Sequence, residues 1–537
     1  MMEGTPYHRW LRALPLGKGT VSLSWRLLEG DGRDEPFHVE RRRQSGAWRR
    51  LSSSPVTEST TFQDSPDQSG TWQYRVTDSH GRPSEAAQAD SSSTASPVAI
   101  SVPLNPDDTV GGLAIGDLTN DGRMGYIVRM ARGGTVWICG FRHDGALLWE
   151  IDTRLPATGD WDDTTRHCPY TCWDVNGDGR SEVVLHTTKA KNVPEHYETA
   201  GPDEFATVVD AETAEVVWEA AWPARDSRAM LNVGHLHGHD APASVLILDG
   251  TYGTVTLTAM DGACGEVAWR VEQERPAGHN LDVGDLDGDG SQEVICGGVC
   301  YRADGTIRWE AEPFGHTDIS KPAAIDPDRE GLQIWYGVES GNPGVYFVDK
   351  HGQTIFKESF RHAHYGWVAR HTAEVPGLQP HTAEDARHEY GAVRAGTREE
   401  GHFPIFLPDG SHWLNLTDWQ RKNFVPVHWD EASEVCFIVR KENKRVVRLT
   451  HDGSIYDLPY GKLPEGGSYG RSSLCADITG DFREEIVCVD PDAHRLLVLA
   501  NPAPATRRRR SPFDDFTYRH DRSQHGGGYY TYLSPPD

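Results

Sequence analysis

The sequence predicts an all-β protein, in which a small fibronectin-III-like β-sandwich precedes an eight-bladed β-propeller. Two repeated signals and a change of pattern near the N-terminus predict it. One signal is an Asp-rich loop between short apolar runs, which recurs roughly every 40–60 residues, the period typical of propeller blades. The other is a tight turn followed by an aromatic residue. Closure of the blades into a ring removes exposed sheet edges, so it is favoured over the alternative, an open solenoid.

The first 100 residues are predicted to form a separate β domain with a polar linker. GTVSLSWRLL, FHVERRR, TTFQD and WQYRVTD are short alternating runs separated by turn residues, and Trp25 and Tyr74 are its expected core. Residues 101–537 are the predicted propeller, with a polar surface insertion at 376–400. The N-terminus lacks the apolar core of a signal peptide, and no stretch is long enough to span a membrane. A cytoplasmic location is therefore expected, and secretion is the alternative if the start of the chain is mis-assigned.

The Asp-rich loop is clearest in GHNLDVGDLDGDGSQEVICGG, residues 278–298. Asp285, Asp287 and Asp289 alternate, Gly290 follows, and Glu293 completes the pattern. This is the oxygen-ligand spacing of a calcium loop, because a hard cation needs six to eight oxygens from a short stretch. The flanking apolar runs read as strands rather than as helices.

Related loops extend the predicted set of Ca²⁺ ligands. The further ligands are Asp117 and Asp121; Asp174, Asn176, Asp178 and Glu182; Asp326 and Asp328; and Asp477, Asp481 and Glu485. One copy carries His235, His237 and His239 in place of the acids. It is interpreted as a blade that lost its ion, and a softer metal is the alternative.

The second signal is an Asp-Gly or similar turn followed by an aromatic residue. The aromatic residues are Trp149, Trp218, Trp269, Trp309, Phe356, Trp413 and Tyr456. Such a turn between short β-rich runs predicts a hairpin. One calcium-type loop and one hairpin per unit fit a four-stranded blade.

The formal net charge of -27 makes nucleic acid an unfavourable partner. Part of the acid excess is explained by the predicted calcium ligands.

Several segments, in this order over nearly the whole chain, resemble the rhamnogalacturonan lyases of polysaccharide lyase family 11. They are GTVSLSWRLL, GHNLDVGDLDGDGSQEVICGG, GHTDISKPAAIDPDREGLQIWYGVE, CADITGDFREEIV and the terminal Tyr532-Leu-Ser-Pro-Pro. The resemblance implies a calcium-rich propeller with a small N-terminal β domain. It also implies a lyase whose partner is an acidic polysaccharide or oligosaccharide, and we expect a monomer.

The implied reaction is β-elimination at a uronate. A base removes the proton on C5, which is very weakly acidic while the adjacent carboxylate is charged. Calcium or a cationic side chain must therefore neutralise the carboxylate and stabilise the developing enolate. A second group then protonates the leaving glycosidic oxygen.

The resemblance implies four candidate catalytic residues. Tyr532 lies where the family's terminal motif has a cleft tyrosine, and His279 and His316 match the family's pattern before two loops. Arg471 lies where the family places a lysine, a departure that leaves the identity of the base open. The candidate substrate-binding residues are His362, His364, His167, Lys189, Tyr469 and Arg370.

Two other functions remain open. A non-catalytic calcium-binding propeller that binds glycan or protein would carry the same loops. A quinone-dependent dehydrogenase would share the turn-and-tryptophan hairpins, but it would be expected to carry a periplasmic signal.

Overall fold

A computed structural model describes residues 9–157, 168–190, 203–225, 229–250, 254–384, 402–470, 473–527 and 529–536. Over these ranges the chain is all-β, as predicted, with two α-helices, α1 (Asp418–Asn423) and α2 (Phe516–Ser523). Neither of these helices is long and apolar enough to cross a membrane.

The N-terminal region forms two sheets around one core. Its strands are β1 (Arg12–Gly17), β2 (Thr20–Ser24), β3 (His38–Arg42), β4 (Arg49–Arg50), β5 (Thr61–Asp64), β6 (Thr71–Thr77) and β7 (Ala87–Asp90). They pair in the orders β1-β2-β5 and β4-β3-β6-β7. Trp25 and Tyr74 are fully buried in this core, which confirms their prediction. The Trp25 ring meets Phe37 edge-on, with 5.7 Å between the ring centroids.

Eight sheets follow, here called sheets 1–8 in chain order. Each has four antiparallel strands, and in sheet 6 a fifth strand, β40 (Tyr532–Leu533), pairs in parallel with the first strand. Sheets 1–4 consist of β9 (Thr109–Gly116), β10 (Gly125–Arg132), β11 (Thr135–Phe141) and β12 (Leu147–Pro156); β13 (Tyr170–Trp173), β14 (Glu182–Thr188), β15 (Glu204–Asp210) and β16 (Val216–Ala221); β17 (Met230–Gly234), β18 (Ser244–Asp249), β19 (Val255–Asp261) and β20 (Val267–Gln273); and β21 (Leu281–Gly284), β22 (Glu293–Cys296), β23 (Val299–Tyr301) and β24 (Ile307–Glu310).

Sheets 5–8 repeat the same antiparallel order. They consist of β25 (Gly315–Ala323), β26 (Gln333–Gly341), β27 (Gly344–Val348) and β28 (Thr354–Ser359); β29 (Ala363–Ala369), β30 (Gln379–Glu384), β31 (Pro404–Phe406) and β32 (His412–Asn415); β33 (Phe424–Val427), β34 (Cys436–Val439), β35 (Arg445–Leu449) and β36 (Ile455–Lys462); and β37 (Leu474–Ala476), β38 (Glu485–Asp490), β39 (Arg495–Leu499) and β8 (Val98–Pro103). Strand β8 precedes sheet 1 in the chain, so sheet 8 joins chain segments from both sides of the repeat.

The two repeated sequence signals occupy equivalent places in these sheets. The Asp-rich loops join the first strand to the second, as between β21 and β22 and between β37 and β38. The Asp-Gly turns join the third strand to the fourth, as predicted for a hairpin. Each loop and each turn therefore has a fixed position relative to its sheet.

In sheets 1–4 the aromatic residue after the turn connects one sheet to the next, whereas Tyr456 in sheet 7 is exposed. The indole N–H groups of Trp149, Trp218, Trp269 and Trp309 donate to the carbonyl oxygens of Ala211, Gly262, Ala303 and Lys350, over 2.8, 2.8, 2.8 and 2.9 Å. Each of these carbonyls lies in the hairpin turn of the following sheet. A glycine in that turn lets the aromatic ring approach, since a Cβ on Gly305 would lie 2.8 Å from Trp269. The signal in the sequence is thus a contact between neighbouring sheets.

The C-terminal segment, residues 511–534, contacts or pairs with the first strand of each sheet or the residues directly beside that strand. Its contacts are His525 with Leu113 (sheet 1), Ser523 with Thr171 (2), His520 with Val233 (3), Tyr529 with His279 (4), Asp521 with Lys321 (5), β40 (Tyr532–Leu533) with β29 (6), Ser534 with His428 (7) and Tyr518 with Asp477 (8). These contacts place the segment among the eight first strands.

Buried charges hold this segment in place. Arg522 donates to Glu484 over 2.8 Å and to the Leu533 carbonyl over 2.7 Å, and Arg522 and Glu484 are both essentially inaccessible to water. The hydroxyl of Tyr518 also donates to Glu484, over 2.9 Å. A buried charge is tolerated only when it is paired and hydrogen-bonded, and this network meets both conditions.

Candidate functional site

A cavity of about 450 Å³ opens where the C-terminal segment meets the starts of several first strands. Its lining is cationic and aromatic although the chain is acidic overall. The cationic side chains are Arg129, Arg421, Lys422 and Arg440, and the tyrosines are Tyr170, Tyr365, Tyr529, Tyr530 and Tyr532. Such a lining suits an anionic ligand with flat apolar faces.

One side of this cavity carries a group of histidines and carboxylates, called here the cavity cluster. Its members are His279, His316, Asp318, Glu339, His362 and His364. His316 Nε2 lies 3.3 Å from Asp318 Oδ1 and 3.1 Å from Glu339 Oε2. His362 Nε2 lies 3.2 Å from the other oxygen of Glu339.

The cluster is built from three consecutive sheets. His279 directly precedes sheet 4, His316 and Asp318 lie on β25, and His364 lies on β29, where it contacts Asp318. The rings of His279 and His316 meet edge-on with their centroids 4.5 Å apart. The short runs GHN and GHTD put these two histidines at equivalent places because each lies near the start of a sheet.

Asp318 is ionised despite being buried. Burial acts to raise its pKa, but hydrogen bonds from His316 and His364 and the charges of His364 and His279 outweigh it. The pKa of Asp318 therefore lies well below its ordinary value. The cluster is thus a buried site of negative charge surrounded by imidazoles.

The structure brings four of the predicted residues, His279, His316, His362 and His364, into this cluster. Tyr532 also lines the cavity, but its hydroxyl donates to the buried Glu484 over 2.7 Å, and burial raises its pKa well above the ordinary value. The ring of Tyr529 lies 4.4 Å from that of His279, between centroids. The two rings are tilted by 37°, so Tyr529 packs against the cluster.

Three other predicted residues lie away from the cavity lining. Lys189 pairs with Glu219 at the surface, and the Tyr469 hydroxyl donates to the Pro464 carbonyl over 3.0 Å within a hydrophobic core. Arg370 follows the far end of β29, where its N–H donates to Ser534 over 3.0 Å. Arg471 and His167 lie outside the described residues.

No sequence pattern indicated the cations of the cavity. Arg421 and Lys422 lie on α1, which begins after the capping residue Thr417 in the chain between sheets 6 and 7. Arg129 lies on β10 and donates to the Cys168 carbonyl over 2.9 Å. These residues belong to no repeat, so only the packing of several sheets brings them together.

The loop after β13 fits a calcium ion. Asn176 contacts both Asp178 and Glu182, over 3.2 and 2.9 Å, so the side chains at these ligand positions converge. Burial raises the pKa of Glu182 to about 7, and the charges of Asp178 and Asp174 act in the same direction. A bound cation would offset the unfavourable burial of Glu182 beside these negative charges. The loop after β21 also converges, since carboxylate oxygens of Asp285, Asp287 and Asp289 lie within 4.8 Å of one another.

Arginines occupy part of the other loops. In the loop after β37, Arg12 donates to Asp481 over 2.7 Å, to Glu485 over 2.9 Å and to Thr479 over 3.1 Å. A guanidinium thus stands where the sequence predicts Ca²⁺, and a calcium ion does not fit beside it. Similar contacts join Arg123 to Asp121 and Arg329 to Asp326. In these loops Asp117 accepts the Gly122 N–H over 2.8 Å, and the Asp328 N–H donates to Asp326 over 3.1 Å. The loop after β21 combines both features, because Arg308 contacts Asp287 and Glu293 beside the converging carboxylates.

Fold and site together define a class of protein: a repeat of four-stranded sheets with calcium-type loops and a cationic cavity that holds a histidine–carboxylate cluster. Residues 204–374 match the model of the rhamnogalacturonan lyase family 11 C-terminal domain. The resemblance to polysaccharide lyase family 11, of which this chain is a divergent relative, is therefore confirmed.

The individual relatives are similar over nearly the whole chain. Rhamnogalacturonan endolyase YesW of Bacillus subtilis is 23% identical over 93% of this chain and 86% of the relative. Rhamnogalacturonan exolyase YesX of the same organism is 24% identical over 89% and 86%. The crystal structure of a Bacillus licheniformis rhamnogalacturonan lyase superposes with a TM-score of 0.77, at 23% identity, over 98% of this chain and 95% of that chain. This superposition shows that the fold is shared.

Proposed function

We propose that the protein is a polysaccharide lyase that cleaves a rhamnose- and uronate-containing glycan, of the rhamnogalacturonan type, by calcium-assisted β-elimination. The observation that carries this proposal is the cavity cluster, which opens into a cationic and tyrosine-lined cavity. The similar lyases named above support the substrate class.

We also infer that sheets 1–8 close into an eight-bladed propeller, with residues 1–100 as a fibronectin-III-like domain. Two observations support closure. Strand β8 completes sheet 8, and the C-terminal segment contacts all eight first strands or their immediate neighbours. A single segment of this length can reach eight first strands only if they surround it.

The cations of the cavity would bind the substrate's uronate carboxylates. Guanidinium groups match carboxylates with two parallel hydrogen bonds, and tyrosine rings offer apolar faces to sugar rings. Arg440 is anchored through a hydrogen bond of 2.8 Å to the Lys422 carbonyl. This bond keeps one cation fixed at the wall, which lowers the ordering cost of binding.

The cavity cluster has the donors to hold a divalent cation. His279, His316, Asp318 and Glu339 would be its ligands, and the cation would neutralise the uronate carboxylate during proton abstraction. The imidazoles are softer donors than Ca²⁺ usually takes, whereas the carboxylates suit it. Replacing Ca²⁺ by Mn²⁺ or Zn²⁺ in the assay therefore tests which ion the cluster uses.

Tyr529 is the best placed of the described tyrosines to protonate the leaving oxygen, since its ring packs against His279. Tyr532 would instead position the segment, because its hydroxyl is committed to Glu484. A Tyr529→Phe variant should then lose turnover and keep its KM. Tyr532→Phe should lower stability more than it lowers turnover in the folded fraction.

The test is the rise in ultraviolet absorbance that accompanies a new unsaturated uronate. Rhamnogalacturonan and other uronate glycans are incubated with the protein, with Ca²⁺ and with chelator. We expect a calcium-dependent rise, and Asp318→Asn should reduce kcat on the order of 10²–10³-fold, as loss of a transition-state charge stabiliser does. His351→Asn, an exposed change in the β27–β28 turn, is the matched control.

A flat trace on every glycan, from folded protein that still binds rhamnogalacturonan, would contradict the lyase and establish the non-catalytic glycan-binding function. Equal activity of Asp318→Asn and His351→Asn would remove the cavity cluster from the mechanism.

A further inference from the structure

A second group of histidines and a carboxylate lies on the outermost strands of sheets 5 and 6. This outer triad consists of Glu358 on β28, His402 just before β31 and His412 on β32. His402 Nε2 lies 2.6 Å from Glu358 Oε1, and His412 Nε2 lies 2.7 Å from Glu358 Oε2. Both imidazoles thus present the same nitrogen to one carboxylate.

Neighbouring residues hold the triad in this geometry. The His402 ring meets Phe360 edge-on at 5.1 Å, and the His412 ring meets Phe406 edge-on at 5.0 Å, between centroids. The Glu384 N–H donates to the His402 carbonyl over 3.0 Å. The side chain of His412 is 38% exposed, so an ion can reach the triad from solvent.

We propose that the outer triad binds a divalent transition-metal ion of the zinc type. Two imidazoles and one carboxylate are donors that suit zinc rather than calcium or magnesium. The three ligand atoms lie within 4.8 Å of one another. At zinc's bond lengths, tetrahedral ligands are about 3.3 Å apart, so the Nε2–Oε distances need to open by only about 0.6 Å.

The charge of the triad also suits a cation. Burial acts to raise the pKa of Glu358, but the hydrogen bonds from His412 and His402 outweigh it and hold that pKa below its ordinary value. The carboxylate is therefore ionised at neutral pH, where neutral imidazoles can act as ligands. Three protein ligands leave the fourth position of a tetrahedral ion to water.

The position of the triad gives the ion a structural role. Sheets 1–4 each donate a tryptophan N–H to the next sheet's hairpin turn, whereas sheet 5 has Phe356 at that place and its ring packs against Gly410. Phe356 has no N–H to donate. Glu358 lies two residues further on the same face of β28, so a metal held by the triad would add a polar link between sheets 5 and 6 close to the place where the tryptophan bond is missing.

The test is calorimetric titration of the full chain with Zn²⁺ while Ca²⁺ is kept saturating. The double variant His316→Asn/His364→Asn is used as the background, because the cavity cluster contains two groups of donors that could also bind Zn²⁺. We expect one zinc site in this background. His402→Asn or His412→Asn should weaken it by at least about tenfold, the loss that even an outer-shell partner of a ligand can cause.

His351→Asn is the matched control, since it removes an exposed imidazole from the neighbouring turn and should leave the site unchanged. Co²⁺ in place of Zn²⁺ should give a visible absorption band that the two triad variants lose. The proposal is overturned if the background binds no Zn²⁺, or if it binds Zn²⁺ equally with and without His412. Neither outcome depends on lyase activity.

Discussion

Two loops with the same sequence pattern each gather several carboxylates, but the groups that surround these carboxylates differ. The loop after β13 gathers Asp174, Asp178 and Glu182, and the contacts described for these side chains include no lysine or arginine side chain. The loop after β37 gathers Asp477, Asp481 and Glu485, and Arg12 reaches into it. The pattern gathers carboxylates in both loops. In the loop after β37 a guanidinium supplies the positive charge, and in the loop after β13 we propose that Ca²⁺ supplies it.

The N-terminal region provides the arginine that enters the loop after β37. Arg12 lies on β1, so the loop after β37 is also a contact between the N-terminal sheets and sheet 8. Arg508 and Arg510 strengthen this contact by donating to the carbonyl oxygens of Thr57, Glu35, Glu29 and Asp31. The loop after β37 has the sequence pattern of a calcium loop, and here it connects two parts of the chain.

The largest effect is expected from Arg12→Met. It leaves Glu485 buried without its arginine, although Arg483 still pairs with Asp481 over 2.8 Å. Breaking a buried pair by removing one partner costs about 3–5 kcal/mol of unfolding free energy. Denaturant unfolding measures this loss, and added Ca²⁺ should restore part of it by entering the vacated loop.

The control for that variant is Arg75→Met, which removes the more exposed pair with Glu40 and should cost less than about 1 kcal/mol. A loss that Ca²⁺ does not reduce would show that the two loops are not interchangeable.

A second effect concerns pH in chelator. Without an ion, the pKa of Glu182 is raised to about 7 from an ordinary value near 4.5. Between these two values the folded state holds a proton that the unfolded state has lost, so stability rises as the pH falls from 7 towards 4.5. Above pH 7 Glu182 is ionised in both states, and its burial then lowers the unfolding free energy by roughly 3 kcal/mol at most, since each pKa unit corresponds to about 1.4 kcal/mol.

Glu182→Gln should therefore be more stable than the parent at pH 8 in chelator and about equally stable at pH 5. Thermal unfolding across this range measures it. If the difference in stability between the variant and the parent does not change with pH, ionisation of buried Glu182 does not destabilise the folded state.

A smaller effect is expected from Asp178→Asn with Ca²⁺ present. It removes one ligand from the loop after β13 and should abolish the stabilisation by the ion, about 2.7 kcal/mol when Ca²⁺ is a hundredfold above its Kd. Calcium titration followed by thermal unfolding measures the loss. Asp144→Asn changes an exposed turn aspartate and is the control; equal calcium responses of the two variants would exclude the loop.

Sequence patterns predicted the repeated features of the structure but not the contacts that occur once between different sheets. The Asp-rich loops and the turn-and-tryptophan hairpins recur, so their places in four-stranded sheets could be read from spacing. His279 and His316 could be found because each precedes a loop at an equivalent place. Arg129, Lys422 and Arg12 could not, because their partners lie in other sheets and no local pattern marks them.

The C-terminal segment has a consequence for how the protein is made. The four antiparallel strands of each of sheets 1–7 are consecutive in the chain, so each of these sheets can form as soon as its own residues have been synthesised. The bond between His525 and Leu113, by contrast, joins residues 412 positions apart. Nascent sheets must therefore persist with their first strands uncovered until the segment arrives. That interval is when aggregation competes with folding, and it favours slow, chaperone-assisted maturation.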